Sequence, residues 1–452
     1  MQDQNSYSHH AKRLISLGLP LIGGYVAGFA IHMADTIMLG WYSVEALAAG
    51  VLGSSFFFVL FILGSGFGQA VMPVVASAVS AGEERQVRRV TRMAMWQSIL
   101  YGLIVLPLFL FAGPILARLG QPEDVAVLAG DYLAIAGFGM VPAVLVQVLR
   151  SYLSALERAG VVLWVTLIAL AGNVIINYAL IFGNWGFPEM GIRGAAIASI
   201  FVQVVSTLGL ILYALRLFPD HALLQRFWRP DWEAFRNIFA LGWPISLTAL
   251  AEVALFNSTA LMMGWIGTIY IAAHGVALQI AAVFFLVHMG LAQAGTIRVG
   301  QAHGRHDMLA VQRISIASNV LSLIFAAVAI VIYLSVPEFM IGLFISPDDP
   351  DRPQVLLVGV SLLAVAALFQ LADAGQVQAL SLLRGLQDTR VPMIFATISY
   401  WVIGAPAAYL LGFPLGWGGV GIWLGLTLGL TAAWVLLGLR LWRLAFRAHA
   451  EN

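Results

Sequence analysis

Residues 355–383 read VLLVGVSLLAVAALFQLADAGQVQALSLL, and the only ionisable side chain among them is Asp373. A stretch this long and apolar crosses a hydrocarbon core of about 30 Å as a helix, with residues to spare for tilt or a kink. Asp373 is the exception that gives the stretch meaning. On insertion scales an acid at mid-membrane costs roughly 2.5–3.5 kcal/mol, so an acid found there is a functional candidate by default.

Outward from this run, apolar stretches of similar length recur at 14–39, 47–73, 93–116, 126–149, 161–182, 192–215, 238–263, 271–297, 314–336, 391–413 and 417–440. With 355–383 they make twelve spans. The whole chain of 452 residues is 61% apolar and only 10% charged, with a mean hydropathy of +0.91. A water-soluble domain carries about 25% charged residues, so lipid must be the solvent for most of this chain. There are no cysteines, which excludes a disulfide framework and thiolate metal sites.

The net charge of +1 hides an asymmetry along the chain. If the amino terminus is cytoplasmic, 20 of the 23 basic residues fall on the cytoplasmic side, in clusters such as Arg85, Arg88, Arg89 and Arg92. The other side keeps Arg118, Arg193 and Arg352, with the acidic loop Asp348, Asp349 and Asp351. The positive-inside rule then places both termini in the cytoplasm, with the chain multi-pass in the cytoplasmic (inner) membrane. The first apolar run is longer than a signal-peptide core and reads as a retained helix.

The longest charged and aromatic interval, LFPDHALLQRFWRPDWEAF at 217–235, lies near the midpoint. On either side the pattern repeats at an offset of about 224 residues. Pro20 matches Pro244, Gly40-Trp41 matches Gly264-Trp265, Gly66 matches Gly290, and Gln69-Ala70 matches Gln293-Ala294. The expected organisation is an amino-terminal lobe at 1–215, a cytoplasmic linker at 216–236 and a carboxy-terminal lobe at 237–452. Six spans per half is an even number, so the repeats share one orientation and are related by a pseudo-two-fold axis along the membrane normal. The fold class is an all-α integral membrane protein with twelve transmembrane helices in two six-helix lobes.

Asp35, Glu252 and Asp373 all lie well inside spans, and no Lys or Arg lies deep in any of them. A buried carboxylate without a base either takes a proton or holds a cation from outside. None of the three has an acidic counterpart in the other half: the offset carries Asp35 to Thr259 and Glu252 to Gly28. Asn173 and Asn177 are one helical turn apart, so their amides face one way and could either line a cavity or bond between helices. His32 is one turn before Asp35. Gln279, His288, Gln370, Gln376 and Asn257 are further polar candidates, each more often a packing contact than a ligand. Phe56-Phe57-Phe58 and Phe284-Phe285 could face flat cations or pack in lipid. Gly64-Ser65-Gly66-Phe67-Gly68 has no preceding strand and no following lysine, so it reads as close helix packing rather than a nucleotide loop. No Walker motif, HExxH metal cluster or nucleophile elbow is present, and the chain is not expected to be an enzyme.

These residues resemble the multidrug and toxic compound extrusion family, in particular its NorM-type branch. The resemblance rests on Leu19-Pro20 followed by Ala34-Asp35-Thr36-Ile37-Met38-Leu39-Gly40, and on Gly68-Gln69-Ala70 with Pro73. It rests equally on Ala251-Glu252-Val253-Ala254-Leu255-Phe256, and on Asp373-Ala374-Gly375-Gln376 leading into Leu383-Arg384-Gly385. It implies antiport, with cationic drugs leaving through a V-shaped two-lobe cavity as Na+ or H+ enters. It also implies an amino-lobe site of Asp35, Asn173 and Asn177, with Pro20 as the bending point of the first helix. A carboxy-lobe cation site, with Na+ among its candidate ions, is implied for Glu252 and Asp373. Two positions depart from the family pattern: Phe369 stands where a tyrosine is frequent, and Asn177 stands where some relatives have an aspartate.

No cofactor is expected beyond the coupling ion. The expected partners are small organic cations, a monovalent cation and the lipid bilayer, with no nucleic acid, and the protein is expected to be a monomer. The alternative is a flippase for lipid-linked substrates of the same superfamily. Such substrates carry phosphates and call for basic residues in the cavity, whereas the deep charges here are acidic. A channel would be expected to show rings of repeated polar motifs.

Overall fold

A computed structural model of the chain describes residues 6–447. Twelve helices are long and apolar enough to cross a membrane: α1 (Tyr7–Tyr42), α2 (Val44–Ser80), α3 (Glu84–Leu110), α4 (Glu123–Ala155), α5 (Ala159–Phe182), α6 (Ile192–Leu217), α7 (Trp232–Ile266), α8 (Thr268–Gly304), α9 (Met308–Ser335), α10 (Arg352–Gly385), α11 (Arg390–Gly412) and α12 (Gly418–Phe446). Two short helices, Ala112–Arg118 and Pro337–Gly342, lie between spans, and no strand occurs among the described residues. The protein is a multi-pass, all-helical membrane protein. The expectation about the two termini themselves falls outside the described residues.

Each apolar run became a helix, and most of the helices are longer than their runs. α1 begins at Tyr7 and α4 extends to Ala155. Apolarity marks the part in hydrocarbon, while backbone hydrogen bonding continues through polar ends until a cap stops it. Caps are visible where the sequence provides them. Ser43 accepts from the Ala46 amide at 3.0 Å to start α2, and Asp307 accepts from the Ala310 amide at 2.9 Å to start α9.

Packing divides the chain into two units. One is Gly23–Ser246; the other joins the described part of Met1–Ile22 to that of Leu247–Asn452. The boundaries lie inside α1 and α7, two residues beyond Pro20 and two beyond Pro244. α1 is nevertheless helical through Pro20.

In the Gly23–Ser246 unit, α2 packs on α3 and α4, and α6 packs on α4 and α5. The core gathers Met38, Leu39, Ala49, Phe109, Leu133, Met140 and Ile181. Phe56 and Phe57 lie against Phe109, with ring centroids 6.1 and 5.5 Å away, so they are packing residues here. Gly66 is where α2 meets the first part of α7: an added Cβ would overlap the Gly242 carbonyl oxygen and the Ser246 hydroxyl. That hydroxyl in turn donates to the Leu63 carbonyl at 2.7 Å.

The 217–235 interval is pinned to α3 within this unit. Arg89 reaches both carboxylate oxygens of Asp231, at 2.5 and 3.1 Å, and Glu233 at 2.6 Å. Trp96 donates to the Phe227 carbonyl at 2.8 Å and stacks on its ring, and Gln97 donates to the Phe235 carbonyl at 2.6 Å. His221 is buried between Phe218 and Tyr152, and burial pushes its pKa below the usual histidine range.

The second unit repeats the glycine contact. Gly290 on α8 meets Ile22 of α1 so closely that an added Cβ would lie 2.8 Å from the Ile22 amide nitrogen. Gly66 with Ser246 and Gly290 with Ile22 are the same contact at the offset seen in the sequence. Around it, α10 packs against α8, α9 and α12, and α11 packs against α12. Phe284 sits edge-on to Tyr333 at 5.0 Å and beside Phe325 at 6.1 Å.

Gly66→Val is expected to lower the thermal stability of the detergent-solubilised protein by about 1–3 kcal/mol, because the clash is with backbone that cannot rotate away. A melting temperature equal to that of wild type would refute the close approach.

Asp231 combines an ion pair with a cap, since it also accepts from the Ala234 amide at 3.1 Å. The Arg89 guanidinium holds its pKa below the usual carboxylate value, so its contribution is full above about pH 3.9 and is lost as pH falls through the lower folded value. Asp231→Asn, which keeps the cap, is expected to cost up to about 1 kcal/mol at pH 7. Asp231→Ala should cost about 1 kcal/mol more through the lost cap. Thermal unfolding of both variants at pH 7 and pH 3.5 checks the values, and the gap between Asp231→Asn and wild type should shrink at the lower pH.

Candidate functional site

The three intramembrane acids sit in two separate clusters, one in each unit. In the Gly23–Ser246 unit, Asp35 on α1 faces Asn173 and Asn177 on α5. Asn173 Nδ2 donates to Asp35 Oδ1 at 3.0 Å and Asn177 Nδ2 donates to the same oxygen at 2.6 Å. Asn177 Nδ2 also donates to Asn173 Oδ1 at 3.2 Å, which aligns the two amides. The one-turn spacing read in the sequence thus puts both amides on a single carboxylate. Ser199 on α6 donates to Asp35 Oδ2 at 3.4 Å. Both asparagines are fully buried, and Asn177 Oδ1 has no hydrogen-bond partner.

A small cavity of about 10 Å³ adjoins this cluster, lined by Asp35, Thr36, Gly50, Ser54, Tyr132 and Ala195 among others. It is at the lower limit for one water molecule. The Tyr132 hydroxyl interacts with Ser54 and Ser199 and lies within reach of the Asp35 charge. His32, one turn earlier on α1, lies close enough to act electrostatically on Asp35. Tyr132 and Ser199 were not legible as site residues, since tyrosine and serine are common in spans and no spacing singles these two out.

The second cluster is built from acceptors. Asp373 on α10 is 2% exposed, and its Oδ1 is buried with no hydrogen-bond partner. Glu252 on α7 likewise has Oε1 buried without a partner, and the two carboxylates act on each other through space. Phe369, one turn before Asp373, is buried edge-on to Phe256 at 6.0 Å and to Trp423 at 5.4 Å. Tyr333 donates to Gln370 Oε1 at 3.1 Å and feels the Asp373 charge.

Arg384, near the end of α10, bears on this cluster. α10 remains helical to Gly385, and the Arg384 charge acts on Glu252, so this acid is not wholly without a basic influence. α4 continues past Arg150 to Ala155, and the Arg150 guanidinium stacks over the Tyr25 ring at 5.5 Å.

Tyr400 is the residue of this cluster that sequence reasoning missed. It is fully buried and accepts a hydrogen bond from Gln376 Nε2 at 2.5 Å. The charges of Glu252, Asp373 and Arg384 all reach it. It stands on a π-helical turn, Ser399–Gly404, that interrupts α11. Pro406 is the available signal. Its ring displaces the Val402 carbonyl and its nitrogen offers no donor, which favours a wider turn just upstream. Among the described residues, no three His, Cys, Asp or Glu side chains gather as a metal centre.

The model of the MatE family matches the chain twice, over residues 20–179 and 244–410. The chain belongs to the MatE family. The two matches begin at Pro20 and Pro244, at the offset of the internal repeat. Among curated proteins, the chain is 47% identical to the "Probable multidrug resistance protein NorM" of Rhizobium meliloti, over 99% of this chain and 97% of that one. It is 45% identical to the protein of the same description from Agrobacterium fabrum, over 96% and 94%. Among solved structures it resembles a eukaryotic MATE transporter, AtDTX14, with a TM-score of 0.85 at 20% identity, covering 98% of this chain and 99% of that one. It also resembles a MOP superfamily transporter from Pyrococcus furiosus, whose binding pocket is described as having reverse polarity, with a TM-score of 0.83 at 20% identity over 96% of both chains. At that identity the last two establish a likeness of fold.

Because Asn177 serves both Asp35 and Asn173, Asn177→Ala is expected to cost about 1–3 kcal/mol by leaving a buried acceptor short of a donor. The double variant Asp35→Ala/Asn177→Ala should cost less than the sum of the singles, since both break the same bond. Additive melting shifts would show that the two side chains do not interact.

Proposed function

We propose that the protein is a cation-coupled antiporter that exports organic-cation drugs and toxic compounds across the cytoplasmic membrane by alternating access, with Na+ or H+ entering in exchange. The observation that carries this reading is the pair of buried carboxylate oxygens, Glu252 Oε1 and Asp373 Oδ1, that lack any donor. Such oxygens are stable in a hydrocarbon-embedded unit only when something positive comes to them. A proton or a monovalent cation arriving from one side and leaving on the other is the simplest supply.

The Asp35 cluster adds a second, differently built acid, already surrounded by donors. We assign Asp35, Asn173 and Asn177 to coupling-ion or substrate binding in the Gly23–Ser246 unit, and Glu252 with Asp373 to the other unit. Pro20 lies two residues from a unit boundary within α1 and is the position at which that helix would bend. The description shared by the Rhizobium and Agrobacterium relatives, multidrug resistance, accords with this reading. The basic-residue asymmetry supports cytoplasmic termini, and nothing in the cycle requires more than one copy of the chain.

Entry of one monovalent cation down about 100 mV supplies roughly 2.3 kcal/mol. An equal exchange for a monovalent drug would be electrically silent and driven by the ion's concentration gradient alone. Two ions per drug would add the voltage.

Proteoliposomes loaded with a fluorescent organic cation test the reading under imposed Na+ or pH gradients. Wild type should release dye on at least one gradient. Asp35→Asn, Glu252→Gln and Asp373→Asn should each reduce the gradient-driven rate at least about tenfold, equivalent to about 1.4 kcal/mol in the barrier. Folded wild type that moves no dye under either gradient would sink the drug-export reading and leave lipid-linked substrates to be tested.

A further inference from the structure

Gln376 stands one turn beyond Asp373 on α10, so the two side chains share a face. It is fully buried. Its amide nitrogen is used, donating to the Tyr400 hydroxyl oxygen at 2.5 Å, while its carbonyl oxygen Oε1 is buried with no partner. Three oxygens without donors therefore belong to one cluster: Glu252 Oε1, Asp373 Oδ1 and Gln376 Oε1. Two are carboxylate oxygens and can be satisfied by protons. The third is an amide oxygen, which does not take up a proton of its own at any physiological pH.

The arrangement around Tyr400 explains why the amide points this way. A carboxamide can turn either end toward a hydroxyl. Here the hydroxyl oxygen takes the NH2 group, which directs the carbonyl oxygen away from Tyr400. Tyr400 is in turn placed by its backbone. The π-turn is closed by the Ala405 amide bonding to the Tyr400 carbonyl, and the neighbouring Trp401 indole donates to the Ala251 carbonyl at 3.2 Å, next to Glu252. The turn thus ties α11 to α7 beside one carboxylate, and the Tyr400–Gln376 bond ties it to α10 beside the other. The charged groups that reach Tyr400 are Glu252, Asp373 and Arg384.

We propose that Gln376 supplies a neutral carbonyl oxygen to a metal cation held by Glu252 and Asp373, and that Tyr400 is the positioning residue that presents it. Hard monovalent and divalent cations are held by sets of oxygen donors, neutral and charged together, and three acceptors without donors in one cluster suit such an ion. Phe369 contributes no oxygen from its own position, which leaves Gln376 as the neutral donor on α10. The inference rests on the antiport reading for its physiological meaning, but binding can be measured without transport.

The test uses the full chain in detergent, with sodium as the probe and choline as the ionic-strength control, at fixed pH. Thermal stabilisation is followed as sodium replaces choline. Wild type is expected to show saturable, sodium-specific stabilisation. Tyr400→Phe, which keeps the ring and removes only the hydroxyl, is expected to raise the half-saturating sodium concentration about 10-fold or more, the usual effect of losing a group that orients a ligand. Gln376→Leu should raise it at least as much. Ser318→Ala, which removes a hydrogen bond from the neighbouring Gln378 at 2.8 Å, should leave the midpoint where it is and so separates ion binding from general loosening of α10. A wild-type protein indifferent to sodium, or Tyr400→Phe with the wild-type midpoint, overturns the proposal. Dye export on a pH gradient alone from a protein indifferent to sodium would keep the antiporter and reject the metal site. Sodium binding with these shifts but no export would do the reverse.

Discussion

The structure depends on the expense of a bare carboxylate in a low-dielectric interior. Asp35, Glu252 and Asp373 are carried on helices whose other residues are overwhelmingly apolar, and each must be compensated from within its own unit or from outside. Asp35 is compensated from within: two amides and a hydroxyl converge on it from α5 and α6. Glu252 and Asp373 are not. Their neighbours are another carboxylate, an amide turned oxygen-first, and Arg384, whose charge reaches Glu252. The units share a scaffold, yet one surrounds its acid with donors and the other surrounds its acids with acceptors.

The shared scaffold has a physical signature at atomic scale. Gly66 meets the backbone of Ser246 and Gly290 meets the backbone of Ile22, at positions that correspond through the repeat. Each contact needs a residue without a side chain, because the partner is main chain. Each also falls next to a proline, Pro244 or Pro20, which leaves one carbonyl of its helix without its usual donor. The unit boundaries in α1 and α7 fall at the same two places.

Much of this was legible in the sequence because hydrophobic length is a strong signal in lipid. Twelve runs became twelve helices, and the 224-residue offset predicted in Gly66 and Gly290 a correspondence that the contacts bear out. Site residues were legible where chemistry forces rarity: an acid in a span stands out, and Asn173 with Asn177 stands out by spacing. Tyr400, Tyr132 and Ser199 were not, since each is an ordinary residue for a span and gains its place only from tertiary packing. α10 also runs two residues past its apolar stretch, to Gly385, and so carries Arg384. Helical hydrogen bonding does not stop where apolarity does, and that residue's long side chain can act on an acid three helices away in sequence order. Phe56, Phe57 and Phe284 were expected to face either a cavity or lipid, and they pack instead on rings of their own units.

The contrast between the two acid clusters also bears on which ion each can accept. A carboxylate that already receives several hydrogen bonds has its charge stabilised in place, and its donors must be displaced or turned before a metal ion can replace them. Protonation asks less: one carboxyl hydrogen rearranges a small network of amides, and Asn177 Oδ1, bare at present, is an acceptor that such a hydrogen could use. In the other unit the order is reversed. Protonating Glu252 and Asp373 relieves their charges but does nothing by itself for Gln376 Oε1, whereas the metal ion proposed above would draw on all three oxygens. On that proposal the two units, which share one repeat, would answer to different ions, the difference residing in the hydrogen-bond donors that Asp35 has and that Glu252 Oε1 and Asp373 Oδ1 lack.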